Sequence, residues 1–303
     1  MPEGDSPTVA RRRVRLAIRE AREAANLTQN QVAEEMEWSL SKVIRIENGD
    51  VTIAPNDLRP LLTLLEIRDK TVVAGLLVDA RIARTRQRQA WYQAQEYREH
   101  LTPALLRLIE YEAEAVAIRY YQIYFMPGPL QTPGYAKANL AKFDDDLSPE
   151  QQRFRAEARR LRRETVYSRL GSLKIYALLD ESVFWRPLGG PEIFAAQLRE
   201  LHELASKGLI KIRMVPFAVD APLTNNATFD LLSLSADSDG SEVLYREVGF
   251  TDELLEDKST TSRHHIRYDK IWHEAATEED TISFIRSRIL ELEKQTRHRR
   301  VPQ

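Results

Sequence analysis

Residues 27–49, LTQNQVAEEMEWSLSKVIRIENG, decide the reading of the N-terminal part of the chain. Thr28 suits the N-cap of a helix whose inward residues are Val32, Ala33 and Met36. A turn at Glu37 and Trp38 leads to Ser39, a second N-cap, and to a helix from Leu40 to Asn48 that buries Val43 and Ile46 before Gly49 ends it. Upstream, Val14, Ala17, Ile18, Ala21 and Ala25 recur at the spacing of one buried helix face over Thr8 to Ala25, with Asn26 as the C-terminal cap. Downstream, Asn56 or Asp57 caps a fourth helix carrying Leu58, Leu61, Leu62, Leu64 and Leu65, with Pro60 tolerated near its start, and a fifth helix begins near Lys70.

Three short helices with a tight turn between the second and third form a unit that the DNA major groove can admit, since the groove is wide enough for one helix. The third helix is then the reader. Leu40, Ser41 and Lys42 point outward, and Arg45 lies one turn after Ser41 on the same face. Arg45 can grip guanine with two hydrogen bonds, Lys42 can reach a guanine edge or a phosphate, and Leu40 can touch a thymine methyl. Ser39, Gln29 and Asn48 complete the candidate DNA-contacting set, with Gln29 and Asn48 placed as neutral phosphate clamps that fix register without reading sequence. The plainer reading of the same residues is a small helical bundle with a solvated surface.

Composition neither supports nor excludes DNA binding. The 303 residues carry a formal net charge of −2, and residues 1–75 hold 11 Lys and Arg against 12 Asp and Glu, so any cationic footprint depends on where the charges sit. Absence of cysteine removes disulfides, thiolate metal sites and thiol nucleophiles. The N-terminus lacks the apolar core of a secretory signal, and no run approaches the roughly 20 apolar residues of a membrane span, so a soluble cytoplasmic protein is expected.

Beyond residue 80 the pattern stays helical to about Tyr124, and MPGPLQTPGYA at 126–136 is a shaped loop. A helix with a capping box at Ser148 and Gln151 follows, rich in arginine at Arg153, Arg155, Arg159, Arg160, Arg162, Arg163 and Arg169. After Gly171 the period becomes strand-like. SLKIYALL at 172–179, a helix from Gly189-Gly190-Pro191 through Ala205, and LIKIRMVPF at 209–217 form a strand, helix, strand unit, which implies a parallel crossover. ATFDLLSL at 227–234 and EVLYREV at 242–248 read as an antiparallel hairpin around ADSDGS. Two helices close the chain, the last capped by Thr277 and Asp280, with a basic end from Lys294 to Arg300 that reads as frayed.

The segment 27–49 resembles the helix-turn-helix of the Xre/Cro class of repressors in the Gln after the first cap, the alanine inside the second helix and the closing Ile-Glu-Asn-Gly. The resemblance covers Thr8 to Arg68, and it implies a structural ion pair between Arg22 and Glu47. It also implies glycine where this chain has Glu37, which must then take an uncommon backbone conformation. Glu34, Glu35 and Glu37 put negative charge near the DNA side. RQRQAWYQ at 86–93, EAEAVAIRYYQIYFMPGPLQTPGYA at 112–136, LLDESVFWRPLGGPE at 178–192 and RMVPF at 213–217 resemble the C-terminal domain of actinobacterial Xre-type regulators related to WhiJ. That resemblance implies a small partner protein encoded nearby and an antitoxin-like role.

The expected fold class is α+β. An all-α helix-turn-helix domain at 1–78 is followed by a helical linker region at 79–170 and a mixed α/β regulatory or partner-binding domain with about four strands at 171–303. The expected function is a sequence-specific transcriptional regulator, a repressor or antitoxin-like protein that binds a double-stranded DNA operator as a homodimer. Its C-terminal domain binds the small partner protein or, alternatively, senses a small-molecule ligand. Trp185, Arg186, Gly189, Gly190, Arg159 and Arg163 are the candidate ligand or partner surface. A C-terminal enzyme would draw on Asp180 and Glu181 with His264 or His265, but their spacing fits no catalytic or metal motif, so neither enzyme nor cofactor is expected.

Overall fold

A computed structural model of the chain describes residues 6–85, 90–141, 148–219, 228–235, 241–248 and 251–300. Two compact units divide after Ala90. Parts of RQRQAWYQ, ATFDLLSL and the ADSDGS turn lie outside the described residues.

The first unit holds five helices, α1 (Pro7–Ala24), α2 (Gln29–Glu35), α3 (Leu40–Asn48), α4 (Pro55–Leu64) and α5 (Lys70–Ile82). Their starts follow local chemistry. Thr28 and Gln31 form a capping box on α2, Ser39 accepts from the Lys42 N–H on α3, and the Asp69 carboxylate accepts from Thr71 and Val72 on α5. The start of α4 differs from expectation. Ala54 is its N-cap and Pro55 opens it, because a proline at the first helical position has φ preset and lacks only an N–H that would have no partner there. Val14, Ile18, Val32, Val43, Ile46, Leu58, Leu61 and Leu76 interlock as one core. Helix ends turn through the left-handed region at Asn26 (φ 56°) and Gly49 (φ 79°). At Gly49 a Cβ would also lie 2.9 Å from the Arg15 Cδ, so both the turn and the close approach favour glycine.

The second unit is built on a six-stranded sheet: β1 (Ala117–Gln122), β2 (Lys174–Asp180), β3 (Lys211–Val215), β4 (Phe229–Ser233), β5 (Glu242–Val248) and β6 (Thr251–Leu255), in the order β3-β2-β1-β4-β5-β6. β1, β2 and β3 run parallel, and α11 (Pro191–Ser206) connects β2 to β3. β4 lies antiparallel beside β1, and β5 and β6 continue antiparallel. The parallel crossover and the β4–β5 hairpin are those the sequence indicates. Two strands are additional. β1 falls inside the stretch read as helical linker, yet it is an interior strand; both its faces are buried, so AIRYYQ shows no alternation by which to recognise it. β6, TDELL, is a half-exposed edge strand with a polar sequence.

Around the sheet stand α6 (Gln95–His100), α7 (Pro103–Glu114), α8 (Pro133–Leu140), α9 (Pro149–Tyr167), α10 (Glu181–Trp185), α12 (Lys258–Glu274) and α13 (Glu278–Arg300). Tyr268 and Ile271 of α12 pack on one sheet face against Tyr121, Leu178, Phe229, Leu231 and Leu244. Alternate residues such as Tyr120 and Asp230 belong to the opposite face. The basic end read as frayed continues α13 through Arg300. No helix among the described residues is long and apolar enough to cross a membrane.

Candidate nucleic-acid interface

The link between α2 and α3 spans four residues. The Trp38 N–H reaches back to the Ala33 carbonyl at 2.8 Å, closing the end of α2, and Glu37 sits at φ 54°. This is the conformation that a non-glycine residue adopts rarely, and the chain takes it where the helix-turn-helix resemblance implies glycine.

From this turn α3 presents Leu40, Ser41, Arg45 and Asn48 to solvent while Val43 and Ile46 enter the core. Leu40 is 41% exposed, a large apolar side chain left on the surface at the start of the helix. Ser39 is exposed, with its hydroxyl engaged as the cap. Arg45 stands on the outer face with no ion-pair partner among the described residues. A guanidinium in that position is available for two-pronged recognition of a base edge.

Two members of the sequence-derived set are held differently. Lys42 is drawn sideways: its ammonium lies 3.0 Å from the Asp57 carboxylate of α4 and 3.7 Å from the centre of the Trp38 ring. Gln29 gives its side-chain N–H to Glu47 Oε2 at 2.8 Å and so braces the reader helix in this structure. The signal for either contact lies in residues of other elements, Asp57 and Glu47, which periodicity within one helix does not reveal.

Beneath the exposed face, Arg22 donates from Nε to Glu47 Oε1 at 2.6 Å and from Nη2 to Oε2 at 3.0 Å, and its third nitrogen reaches the Leu27 carbonyl at 2.9 Å. Glu47 is buried, and its hydrogen bond raises the Arg22 pKa above the ordinary guanidinium value. Charge on the surface is mixed, since Glu34, Glu35 and Glu37 are exposed beside the reader.

The candidate surface residues of the second unit stand on several elements. Trp185 bonds Glu181 through its indole N–H and carries Arg288 on its ring, and Arg186 lies over Tyr124. Gly189 and Gly190 shape the turn before α11 at φ 77° and 91°. Arg159 and Arg163 belong instead to α9: both reach Gln131, and Arg163 also pairs with Glu200 at 2.6 Å. Much of the remaining arginine run is paired internally. Arg160 meets Glu157 and Glu164, Arg162 meets Glu112, and Arg169 binds three carbonyls at the end of α7. The acid and base candidates are likewise engaged apart: Asp180 caps α10, Glu181 holds the Trp185 indole and the Phe217 N–H, and His265 meets Glu242 at 2.7 Å.

A compact five-helix unit with a capped, outward-facing third helix is the architecture of a helix-turn-helix DNA-binding regulator. In agreement, residues 14–74 match a family described as a helix-turn-helix domain. Residues 105–287 match a second family, described as a domain of unknown function (DUF5753), and the protein belongs to that family. No curated protein and no solved structure matches the chain.

Proposed function

We propose that this chain is a sequence-specific transcriptional regulator of the Xre type, acting in the cytoplasm as a homodimer on a double-stranded operator and most simply as a repressor. The observation that carries this reading is the arrangement of α3: Leu40, Ser41 and Arg45 lie free on one face while Glu47, on the opposite side, is clamped by Arg22 and Gln29. A reader helix needs that combination of exposed chemistry and a fixed root. One such helix reads a short half-site, so a dimer on half-sites about 34 Å apart gains both affinity and specificity.

The second unit is then the control module. Its resemblance to WhiJ-related regulators supports a small partner protein as the controlling input, in an antitoxin-like arrangement. A binding role rather than a catalytic one is supported by the commitment of Asp180, Glu181 and His265 to caps and pairs. Control by a small molecule is a second reading, favoured by the cavities beside Arg159.

Footprinting of the full chain on the DNA flanking its own gene tests the proposal. Two protected segments one helical turn apart are expected, lost together as salt rises. Protection nowhere, or at every position equally, would overturn it. Mass spectrometry of proteins co-purified from the native host tests the partner, and recovery of the chain alone would remove it.

A further inference from the structure

Strand register lines up three polar side chains across the middle of the sheet. Tyr120 of β1 lies opposite Asp230 of β4, and Asp230 lies opposite Tyr245 of β5, all on the face away from α12. Gln122 donates to Asp230 Oδ1 at 2.8 Å, and the Tyr245 hydroxyl reaches Glu247 at 3.4 Å. Over this row, Arg162 of α9 is neutralised by Glu112 through two hydrogen bonds of 2.8 and 2.7 Å.

Arg159, one turn earlier on α9, is not neutralised. It gives one N–H to Gln131 Oε1 at 2.9 Å, a neutral acceptor, and no carboxylate among the described residues lies within ion-pair distance. A partly buried guanidinium without an anion is an expensive arrangement, and proteins keep it mainly where something else supplies the anion.

Space is present on both sides of that guanidinium. An inner cavity of about 100 Å³ lies against the sheet and is lined by Gln122, Asn139, Arg159, Asp230, Tyr245 and Glu247, the last a carboxylate that acts on Arg159 from beyond ion-pair distance. An outer cleft of about 880 Å³ runs between α8 and α9 over Ala136, Leu140 and Phe154. Arg159 and Gln131 line both. Asn139 is 4% exposed and its Oδ1 has no hydrogen-bond partner, an unmet acceptor in the same wall.

We infer that this junction binds a small organic anion with an apolar body, its anionic head against Arg159 and its body in the cleft between α8 and α9. Cation, size and polarity set the class. The uncompensated guanidinium calls for a carboxylate, sulfonate or similar head, and the inner cavity has room for such a group but not for a nucleotide. The outer cleft has an apolar floor, and Lys137 adds positive charge at its rim, whereas Arg153, Arg160 and Arg163 are already paired with Glu150, Glu157, Glu164 and Glu200. Asp230 does not repel the head at neutral pH: burial raises its carboxyl to about 8, with Glu112 and Glu247 adding to the shift and Arg162 opposing it. The site is separate from α3 and goes beyond the DNA-binding reading, to an effector that the second unit would sense.

Two dyes with one aromatic body separate the charge from the apolar surface: 8-anilinonaphthalene-1-sulfonate carries the anion, and N-phenyl-1-naphthylamine lacks it. With the full-length protein, the sulfonate is expected to bind saturably at one site per chain, about tenfold tighter than the neutral dye. Arg159→Met should erase that preference at unchanged circular dichroism. Should that variant not fold, Lys137→Glu, on the exposed side of α8, should weaken the sulfonate severalfold and leave the neutral dye unaffected. Equal affinity for the two dyes, or a preference that survives the folded variants, would overturn the inference. No DNA enters the assay, so its failure and a failure of operator binding are distinct results.

Discussion

Arg22 in the last turn of α1 and Glu47 near the end of α3 meet through two parallel hydrogen bonds of 2.6 and 3.0 Å, and Gln29 at the start of α2 adds a third contact to the same carboxylate. One buried glutamate therefore ties together all three helices of the reading unit. With the Glu47 carboxylate engaged inward and Val43 and Ile46 buried beside it, Leu40, Ser41 and Arg45 face outward on the other side of α3. Geometry at the surface depends on this link.

Replacing Glu47 with alanine should leave Arg22 partly buried with only the exposed Glu23 carboxylate, 3.5 Å away, at a cost toward the lower end of about 3 to 5 kcal/mol. Arg22 is only 12% exposed in its side chain, so solvent compensates little. Urea denaturation of the variant checks this, and wild-type stability would show that the pair contributes nothing.

Arg45→Ala should weaken binding to a selected operator by about 1 to 3 kcal/mol and relax preference at one base pair. Stability should stay unchanged because the side chain is exposed. Titration of the variant against operator duplexes with single substitutions reads both effects, and an operator affinity equal to wild type would remove Arg45 from the reader set.

Glu37→Gly should stabilise the first unit by up to about 1 kcal/mol. At φ 54° a side chain carries a left-handed strain of roughly 1 to 2 kcal/mol, of which glycine's extra entropy in the unfolded chain returns part. The substitution also removes one negative charge beside the reader, so affinity for non-specific DNA should rise. Thermal denaturation and binding to a random duplex check the two halves, and a less stable variant would contradict the strain argument.

Asp230 should make the second unit less stable as pH rises. Its folded pKa of about 8 lies above the ordinary carboxylate value near 4, so the folded state holds the proton more tightly between those limits. The contribution is fully present below about pH 4 and is lost as pH climbs through about 8. Asp230→Asn should flatten that decline, measured as urea midpoints across the same range, and an unchanged slope would show that the carboxyl is already ionised at neutral pH.

Much of the reading unit was legible because its determinants are local. Thr28, Ser39 and Gly49 mark helix ends within a few residues of the chain, while the unusual backbone of Glu37 was implied by the family resemblance, which puts glycine there. The redirection of Lys42 toward Asp57 and Trp38 was not legible, since α4 supplies the anion. In the second unit the buried strand β1 has no alternating pattern, and without β1 the polar row through Tyr120, Asp230 and Tyr245 has no register to define it. The engagement of Arg159 and Arg163 has the same origin: only the tertiary fold shows that α9 turns them toward Gln131.

The central claim is that α3 reads base sequence, and the most direct test is selection from a pool of randomised duplexes by the full-length protein, carried out in parallel with Arg45→Ala. Wild type is expected to enrich one motif with two related half-sites about one helical turn apart, and the variant to enrich the same motif with one position in each half-site degenerate. Enrichment of no motif by the wild-type protein, or of an identical motif by both proteins, would contradict it.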